Sequence, residues 1–209
     1  MEKMTDFFAA RVKGYDEHMI RDVEGCREGY ERVASLVPLG AGRLLDLGAG
    51  TGLELDYIFE KMPELYVTAI DLTKEMLDVL MEKHGDKNVD VICGDYFEID
   101  LGRDTYDCAV SVESLHHFEK DKKTELYRRV RECLREGGVY IECDYMVETQ
   151  AEEDFFFAER RHLAPVDEYY HYDTPCTVDN QIKMLMDAGF GSVERVMRRG
   201  ATTVLLARR

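Results

Sequence analysis

A glycine-rich turn, GAGTG at residues 48–52, follows the short apolar run RLLDL. Glycine lets the backbone come close to a ligand, and the N-terminus of a following helix offers free N–H groups and a positive dipole end. A carboxylate or a phosphate could therefore bind at this turn. A dinucleotide-binding loop has the pattern G-x-G-x-x-G, but Leu53 stands where its third glycine would be.

Two acidic residues narrow the chemistry of that ligand. Asp46 precedes the first glycine by two residues, where it would repel a diphosphate and attract an ammonium group. Asp71 ends the next apolar run, at a position where an acid can accept hydrogen bonds from ribose hydroxyls. Leu72 beside it can pack against a base. A ligand that combines an amino acid, a ribose and a base describes S-adenosylmethionine.

Histidines are the candidates for proton transfer. His116 and His117 follow a predicted strand, and His171 lies in an aromatic segment further along the chain. Histidine titrates near neutrality, so His116 or His171 could act as a general base. The alternative is that a histidine only orients its loop by hydrogen bonding. His116, His117, His162 and Cys176 could bind a metal ion by their chemistry, but their spacing matches no recognised ligand pattern. We therefore predict no metal site.

Strands and helices alternate through the first two thirds of the chain. Residues 17–37 carry one apolar stripe at helical spacing, which ends at Pro38. Five apolar runs predict strands, at residues 43–47, 65–70, 89–93, 106–111 and 139–143. Helices are predicted between them, over about 53–62, from a Thr73 cap to His84-Gly85, and over about 121–135 with an end at Gly137-Gly138. This alternation favours right-handed crossovers and a mostly parallel sheet.

The pattern changes after residue 144. Residues 148–175 form an acidic and aromatic insertion, and a helix is predicted over residues 177–188. The runs 192–197 and 202–207 are separated by four residues, which is too short for a parallel crossover, so they should form an antiparallel hairpin. We predict one domain over residues 1–209, with a helical lid (1–40), a cofactor-binding core (41–147), a substrate-side insertion (148–175) and a C-terminal helix and hairpin (176–209).

Composition excludes several classes of function. A chain of 209 residues favours one domain, and its formal net charge of −16 repels nucleic-acid backbones and anionic membranes. We therefore expect a small neutral or cationic binding partner. No stretch resembles a signal peptide or a membrane span. The six cysteines include no C-x-x-C pair, so we expect reduced thiols and a cytoplasmic location.

Five segments resemble, in the right order, the motifs of class I S-adenosylmethionine-dependent methyltransferases. They are LLDLGAGTGLEL, VTAIDLTKEML, CGDYFEID, YDCAVSVESLHHF and LREGGVYIECDYM. The chain is similar in particular to the small-molecule and ubiquinone-biosynthesis-like group. The resemblance covers roughly residues 7–209. It implies a Rossmann-like, doubly wound, seven-stranded α/β sheet whose last strand is antiparallel. It also implies S-adenosylmethionine as cofactor, S-adenosylhomocysteine as product, and a small-molecule acceptor with an O, N, S or C nucleophile.

The resemblance also assigns roles to residues around the glycine turn. Asp46, Gly48 and Gly50 would surround the methionine end of the cofactor. Asp71 would bind both ribose hydroxyls, and Leu72 would lie beside the adenine.

Further roles fall on later motifs and on the N-terminal segment. Asp95 would bind the adenine amino group, and Tyr96 would supply a backbone contact or packing. Ser111 and Glu113 would border the methionine and the sulfonium. Tyr15 resembles the tyrosine of a lid that closes over the cofactor.

Three other functions stay open on the sequence. A tRNA-modifying methyltransferase is disfavoured by the net charge of −16. A nicotinamide-dependent oxidoreductase is disfavoured by Leu53 and Asp46. The third is a cofactor-binding subunit without catalysis of its own.

Overall fold

A seven-stranded mixed sheet forms the centre of the computed structural model, which describes residues 2–163 and 170–209. The strands are β1 (Arg43–Leu47), β2 (Tyr66–Asp71), β3 (Val89–Cys93), β4 (Tyr106–Val112), β5 (Leu134–Tyr145), β6 (Ser192–Arg199) and β7 (Thr202–Arg208). Their order across the sheet is β3-β2-β1-β4-β5-β7-β6.

Pairing within the sheet confirms the predicted α/β class. Strands β1 to β5 pair in parallel, while β7 pairs antiparallel with both β5 and β6. Gly200 and Ala201 alone join β6 to β7, so the last two strands form the predicted hairpin.

Helices cover both faces of the sheet. They are α1 (Met4–Arg11), α2 (Tyr15–Arg21), α3 (Cys26–Leu36), α4 (Leu53–Lys61), α5 (Lys74–His84), α6 (Lys120–Cys133), α7 (Gln150–Leu163) and α8 (Val178–Asp187), with a short 3-10 helix at Leu115–His117. Side chains of β1 alternate between two apolar clusters: Leu45 and Leu47 join one, and Leu44 joins the other. The first cluster includes residues of α6 and α8, and the second includes residues of α3, α4 and α5. None of the helices in the described part of the chain is long and apolar enough to cross a membrane.

The predicted single helix over residues 17–37 is wrong. The chain forms α2 and α3 instead, and Gly25 between them has a φ of +81°. A Cβ at Gly25 would lie 2.6 Å from the carbonyl oxygen of Arg199. Thr202 also donates a hydrogen bond to the carbonyl of Glu24 at 2.8 Å. The helix therefore breaks because its backbone must pass close to the β6–β7 hairpin, which the apolar stripe does not reveal.

The predicted boundary between the sixth helix and the fifth strand is also wrong. Helix α6 ends at Cys133, and β5 begins at Leu134 and runs through Gly137 and Gly138. The strand shifts register against β4 in this region. The two glycines therefore lie in an irregular strand and do not end a helix.

Other helix ends agree with the sequence more closely. The N–H of Gly85 donates to the carbonyl of Met81 at the predicted end of α5. Thr73 is the N-cap residue of α5 as expected, but its hydroxyl does not cap the helix. Its backbone N–H donates a hydrogen bond to Oδ1 of Asp71. The predicted insertion contains α7, and its residues 164–169 lie outside the described part of the chain.

Candidate active site

The carboxyl ends of β1, β2 and β4 meet at one edge of the sheet, where ligands of open α/β sheets bind. The glycine turn leaves β1 there, and Gly48, Gly50 and Gly52 have φ values of +74°, +51° and +69°. The N–H groups of Gly48 and Ala49 both donate to the carbonyl of Ile70 in β2. A Cβ at Gly48 would lie 2.1 Å from Oγ of Ser114. Position 48 therefore requires glycine for both conformation and space.

Asp71 ties this turn to the end of β2. Its Oδ2 accepts a hydrogen bond from the N–H of Gly50 at 2.8 Å, and its Oδ1 accepts one from the N–H of Thr73 at 2.7 Å. Burial raises the pKa of the Asp71 carboxyl, while these hydrogen bonds oppose that rise. The carboxylate keeps lone pairs available for a further donor.

A first cleft lies over the turn and has an empty volume of about 670 Å³. Eight of the ten residues predicted to bind the cofactor line it: Tyr15, Gly48, Gly50, Asp71, Leu72, Asp95, Tyr96 and Glu113. Met4 and Phe8 of α1 also line it, on the side of the predicted N-terminal lid.

Glu113 stands at the end of β4 in an unusual conformation. Its φ is +47°, in the left-handed region that few non-glycine residues adopt, and its N–H donates to the carbonyl of Cys143 at 2.8 Å. Burial raises the pKa of its carboxyl to about 8, and the nearby charge of Asp144 adds to that rise. Strained backbone is concentrated at functional sites, and here it holds an acid at the cleft wall.

A second, wider cleft adjoins the first and has an empty volume of about 1740 Å³. The two clefts share the side chains of Phe8, Tyr15 and Glu113 as a common wall. The second cleft is also lined by both predicted catalytic histidines, His116 and His171. The sheet edge thus presents two adjoining clefts with one boundary.

Three histidines and three carboxyl groups lie between the two clefts. Nδ1 of His116 lies 2.5 Å from Oδ1 of Asp144, at the end of β5. Nδ1 of His117 lies 3.1 Å from Oδ1 of Asp173, and Nε2 of His171 lies 3.8 Å from the same atom. The ring of His171 stacks on Phe7 of α1 with centroids 3.6 Å apart.

Charge differs among the members of this cluster. Burial opposes protonation of His116, but Asp144 overcomes that effect and raises the pKa of His116 to about 9. Burial and the charge of His116 lower the pKa of His117 to about 4. Burial would raise the pKa of Asp173, yet the neighbouring histidines lower it to about 2. At neutral pH the cluster therefore contains a charged His116, a neutral His117 and an ionised Asp173.

Comparison with known proteins is consistent with this geometry. A family model described as a methyltransferase domain matches residues 44–138. Over 95% of this chain and 92% of the relative, the sequence is 23% identical to the carboxy-S-adenosyl-L-methionine synthase of Campylobacter lari. Over 42% of this chain and 32% of the relative, it is 30% identical to a malonyl-[acyl-carrier protein] O-methyltransferase of Priestia megaterium. The family model, these relatives and the fold together support a class I S-adenosylmethionine-dependent methyltransferase.

Solved structures support the fold of this methyltransferase. Human N-acetylserotonin methyltransferase in complex with S-adenosylmethionine matches with a TM-score of 0.70 and 16% identity, over 98% of this chain and 56% of the human chain. An O-methyltransferase family protein from Burkholderia thailandensis matches with a TM-score of 0.75 and 18% identity, over 99% of this chain and 63% of the other. The methyltransferase thus spans about three fifths of the length of these neighbours. Its cofactor is S-adenosylmethionine.

Two of the predicted cofactor residues lie outside the first cleft of the methyltransferase. Asp46 is 1% exposed beneath the glycine turn, and neither of its oxygens has a hydrogen-bond partner in the described part of the chain. Burial raises the pKa of Asp46 to about 7 and that of its neighbour Glu54 well above its ordinary value. Ser111 is buried in β4, with its hydroxyl 2.6 Å from that of Tyr140. Because Asp46 is buried, it can act on a ligand in the cleft only through its charge. The hydroxyl of Ser111 is hydrogen-bonded to Tyr140 within the core and does not face the cleft.

The groups around the glycine turn are nevertheless compatible with a cationic cofactor. The glycine turn leaves room for a ligand because a Cβ at Gly50 would meet no atom within 4 Å in the described residues. Asp46 is buried just before the glycine turn and Glu113 lines the cleft, and each carboxyl would supply negative charge when it is ionised. A sulfonium and an ammonium group fit such an environment.

Three residues of the site were missed from the sequence as candidates. Asp144 could have been found, because it is an acid at the carboxyl end of a predicted strand. Ser114 lies just beyond a predicted strand, and its hydroxyl is 3.0 Å from that of Tyr96. Asp173 lies in the insertion, and no pattern in the sequence distinguishes it from the other acids there.

Proposed function

We propose that this methyltransferase transfers a methyl group to a small molecule bound in the second cleft. The observation that carries the proposal is the wall shared by the two clefts, formed by Phe8, Tyr15 and Glu113. Predicted cofactor residues line one side of it, and ionisable side chains line the other. A donor and an acceptor bound on the two sides would be neighbours.

The first cleft would bind the cofactor through the residues predicted for it. Asp71 would accept hydrogen bonds from the ribose hydroxyls, and Leu72 would pack beside the adenine. Asp95 would contact the adenine amino group, next to Tyr96. S-adenosylmethionine supplies an electrophilic methyl group when it is bound.

Tyr15, Glu113, Gly48 and Gly50 would enclose the methionine end of the cofactor. Tyr15 begins α2 and lines both clefts, so it can cover the donor and orient the acceptor. Much of the acceleration would come from holding the two reactants in line and excluding water, an effect that can supply about 7–11 kcal/mol.

An acceptor that must lose a proton would find two candidate bases in the second cleft. His171 is held by stacking on Phe7, and its backbone N–H donates to the carbonyl of Glu2 at 3.0 Å. His116 is held by Asp144, which raises the pKa of His116 to about 9, so at neutral pH only its small unprotonated fraction can act as a base. If the acceptor needs a base, replacement of the correct histidine by alanine should lower turnover by about 10²–10⁴-fold.

The chemistry of the second cleft favours a small acceptor over a nucleic acid. It mixes basic groups, including Arg11 and Lys13, with acidic groups, including Asp22 and Glu24. The chain as a whole carries a formal charge of −16. A long phosphate backbone gains little from such a surface, whereas a compact polar molecule can use both signs of charge.

The proposal is tested by following conversion of S-adenosylmethionine to S-adenosylhomocysteine in the presence of pooled small metabolites, and then of single compounds. We expect one structural class of acceptor to raise turnover well above the rate without acceptor. Titration calorimetry with S-adenosylmethionine and with NAD provides the control. The proposal fails if turnover requires tRNA, or if NAD binds and S-adenosylmethionine does not.

A further inference from the structure

Three donor atoms of the histidine cluster converge on one point between the clefts. They are Nε2 of His116, Nδ1 of His117 and Oδ1 of Asp173. The Asp173 oxygen lies 3.8 Å from the His116 nitrogen and 3.1 Å from the His117 nitrogen, and all three atoms lie within 4.8 Å of one another. Two imidazoles and one carboxylate form a common donor set for divalent transition metals.

Two of these atoms are buried and have no hydrogen-bond partner within residues 2–163 and 170–209. They are Nδ1 of His117 and Oδ1 of Asp173. They lie 3.1 Å from each other, within ion-pair distance, and neither makes a further hydrogen bond to any residue that the structure describes. His117 is only 4% exposed. Buried polar atoms normally make all their hydrogen bonds, so two buried atoms with unused bonding capacity at one point favour a binding site for a further ligand.

The spacing of the donors suits a metal ion. Zinc binds imidazole nitrogen and carboxylate oxygen at about 2.0–2.2 Å, so neighbouring ligands of a tetrahedral ion lie about 3.4 Å apart. The distances of 3.1 Å and 3.8 Å from Asp173 to the two histidines lie on either side of that value. Small side-chain rotations would therefore complete the coordination.

A second layer of contacts already orients the donors. Asp144 lies 2.5 Å from Nδ1 of His116, which leaves Nε2 directed at Asp173. A metal-bound histidine typically donates its other ring nitrogen to a carboxylate in this way. Thr174 fixes the position of Asp173, because its N–H and hydroxyl both donate to the carbonyl of His116, at 2.6 Å and 3.1 Å.

We propose that His116, His117 and Asp173 bind one divalent transition-metal ion of the zinc type, which takes the place of the proton on Nε2 of His116 and releases that proton to solvent. Glu113, His116 and Asp144 also lie close enough together to ligate an ion. That alternative set would have to use the His116 nitrogen that Asp144 already engages, so the first set is favoured. The metal site is independent of the proposed function, since it can bind an ion whether or not methyl transfer occurs.

The location gives such an ion a role that rests on the proposed function. His117 lines the first cleft, while His116 and Asp173 line the second. With three protein ligands, an ion would keep an open position for water or for an oxygen of the acceptor. It would lower the pKa of a hydroxyl bound there.

Metal binding is tested on the full chain, without a histidine tag, after removal of metals with a chelator. Titration calorimetry with Zn²⁺ and the visible absorption of added Co²⁺ give stoichiometry, affinity and geometry. We expect one ion per chain and the intense absorption of four-coordinate Co²⁺. Asp173→Asn should weaken Zn²⁺ binding by about 100-fold or more. Asp144→Asn should weaken it by about 10–100-fold, as expected for a carboxylate that orients a ligand.

His18 and Asp22 provide a matched control in the same cleft. Nδ1 of His18 lies 3.0 Å from Oδ2 of Asp22, but both side chains are more than half exposed. The double variant His18→Gln/Asp22→Asn should bind Zn²⁺ as the parent does. Circular dichroism of each variant checks that it is folded. The proposal is overturned if the folded parent binds no stoichiometric Zn²⁺, or if Asp173→Asn binds it as tightly as the parent. Binding of S-adenosylmethionine, measured separately, would show whether the proposed function survives that result.

Discussion

The carboxylate of Asp71 accepts a hydrogen bond from the backbone N–H of Gly50 at 2.8 Å, across 21 residues of sequence. This contact joins the end of β2 to the glycine turn that follows β1. The residue proposed to bind the ribose therefore also shapes the turn proposed to hold the methionine end. Changes at Asp71 should affect both parts of the cofactor cleft.

Replacement of Asp71 by asparagine should weaken binding of S-adenosylmethionine by about 10–100-fold. The variant loses a charged acceptor, and hydrogen bonds to charged groups contribute about 1.5–3 kcal/mol each. Titration calorimetry measures the affinity. Asp78→Asn is the matched control, because Asp78 pairs with Lys74 on the exposed face of α5. Equal affinities of Asp71→Asn and the parent would remove the ribose role.

Two glycines of the turn should respond differently to alanine. A methyl group at position 48 would clash with Ser114, at 2.1 Å from Oγ, so Gly48→Ala should lower the free energy of unfolding by about 2–4 kcal/mol. Gly50→Ala meets no such neighbour and should cost only the left-handed strain of about 1–2 kcal/mol. Chemical denaturation without ligand measures both values.

Gly50→Ala also distinguishes an effect on cofactor binding from an effect on folding stability. The added methyl of Gly50→Ala would enter the first cleft, so this variant should fold and yet bind S-adenosylmethionine more weakly than the parent. If Gly50→Ala kept the affinity of the parent, the cofactor would not approach the backbone at this position.

Affinity for S-adenosylmethionine should fall as the pH falls from about 8 to about 6. Burial raises the pKa of Asp46 to about 7, so protonation in this range removes a negative charge near a cationic ligand. We expect the dissociation constant to rise roughly threefold to tenfold through this group. Asp46→Asn should bind more weakly at the higher pH and show a smaller dependence on pH. Glu113 titrates in the same range and should account for the slope that remains. An unchanged slope in Asp46→Asn would contradict the role of Asp46.

Glu153 should stabilise the protein at neutral pH and lose this stabilising effect in acid. Burial alone would raise the pKa of this carboxyl, but hydrogen bonds from Lys120, Asn180 and the N–H of Thr177 lower it to about 2. A carboxyl whose pKa is lowered by folding stabilises the fold at pH values above its ordinary pKa of 4.5. It loses that contribution as the pH falls toward 2.

The variant Glu153→Gln isolates this effect. It should lower the free energy of unfolding at neutral pH by on the order of 2 kcal/mol, and the difference from the parent should shrink near pH 3. Urea denaturation at both pH values measures it. Glu152→Gln is the control, because Glu152 is exposed and accepts its hydrogen bonds from Thr149, three residues earlier in the same turn of chain. A difference between parent and Glu153→Gln that does not change with pH would contradict the assignment.

Much of the fold could be predicted from the sequence because its pattern is local. Apolar runs of five or six residues mark β1 and β2, and the GAGTG turn marks the start of α4. Such patterns, together with the family motifs, predicted eight of the sixteen residues that line the first cleft, since the carboxyl ends of parallel strands meet at one edge. The break at Gly25 could not be predicted, because it depends on the distant hairpin residue Arg199.

Asp173 shows where the sequence could not predict the site. It contacts His117 across more than fifty residues, and Thr174 holds it there through hydrogen bonds to His116. Its placement depends on how the insertion after β5 folds back over the sheet. Neither the spacing nor the composition of the insertion carries that information.

The sequence by itself determined the alternation of strands and helices, the glycine turn and the family of the protein. These depend on periodicity and on short motifs, which act over a few residues. The tertiary structure alone decided that Ser111 is buried and that His116, His117 and Asp173 converge between two clefts. Such contacts join segments far apart in the chain, and their geometry follows from packing of the whole fold.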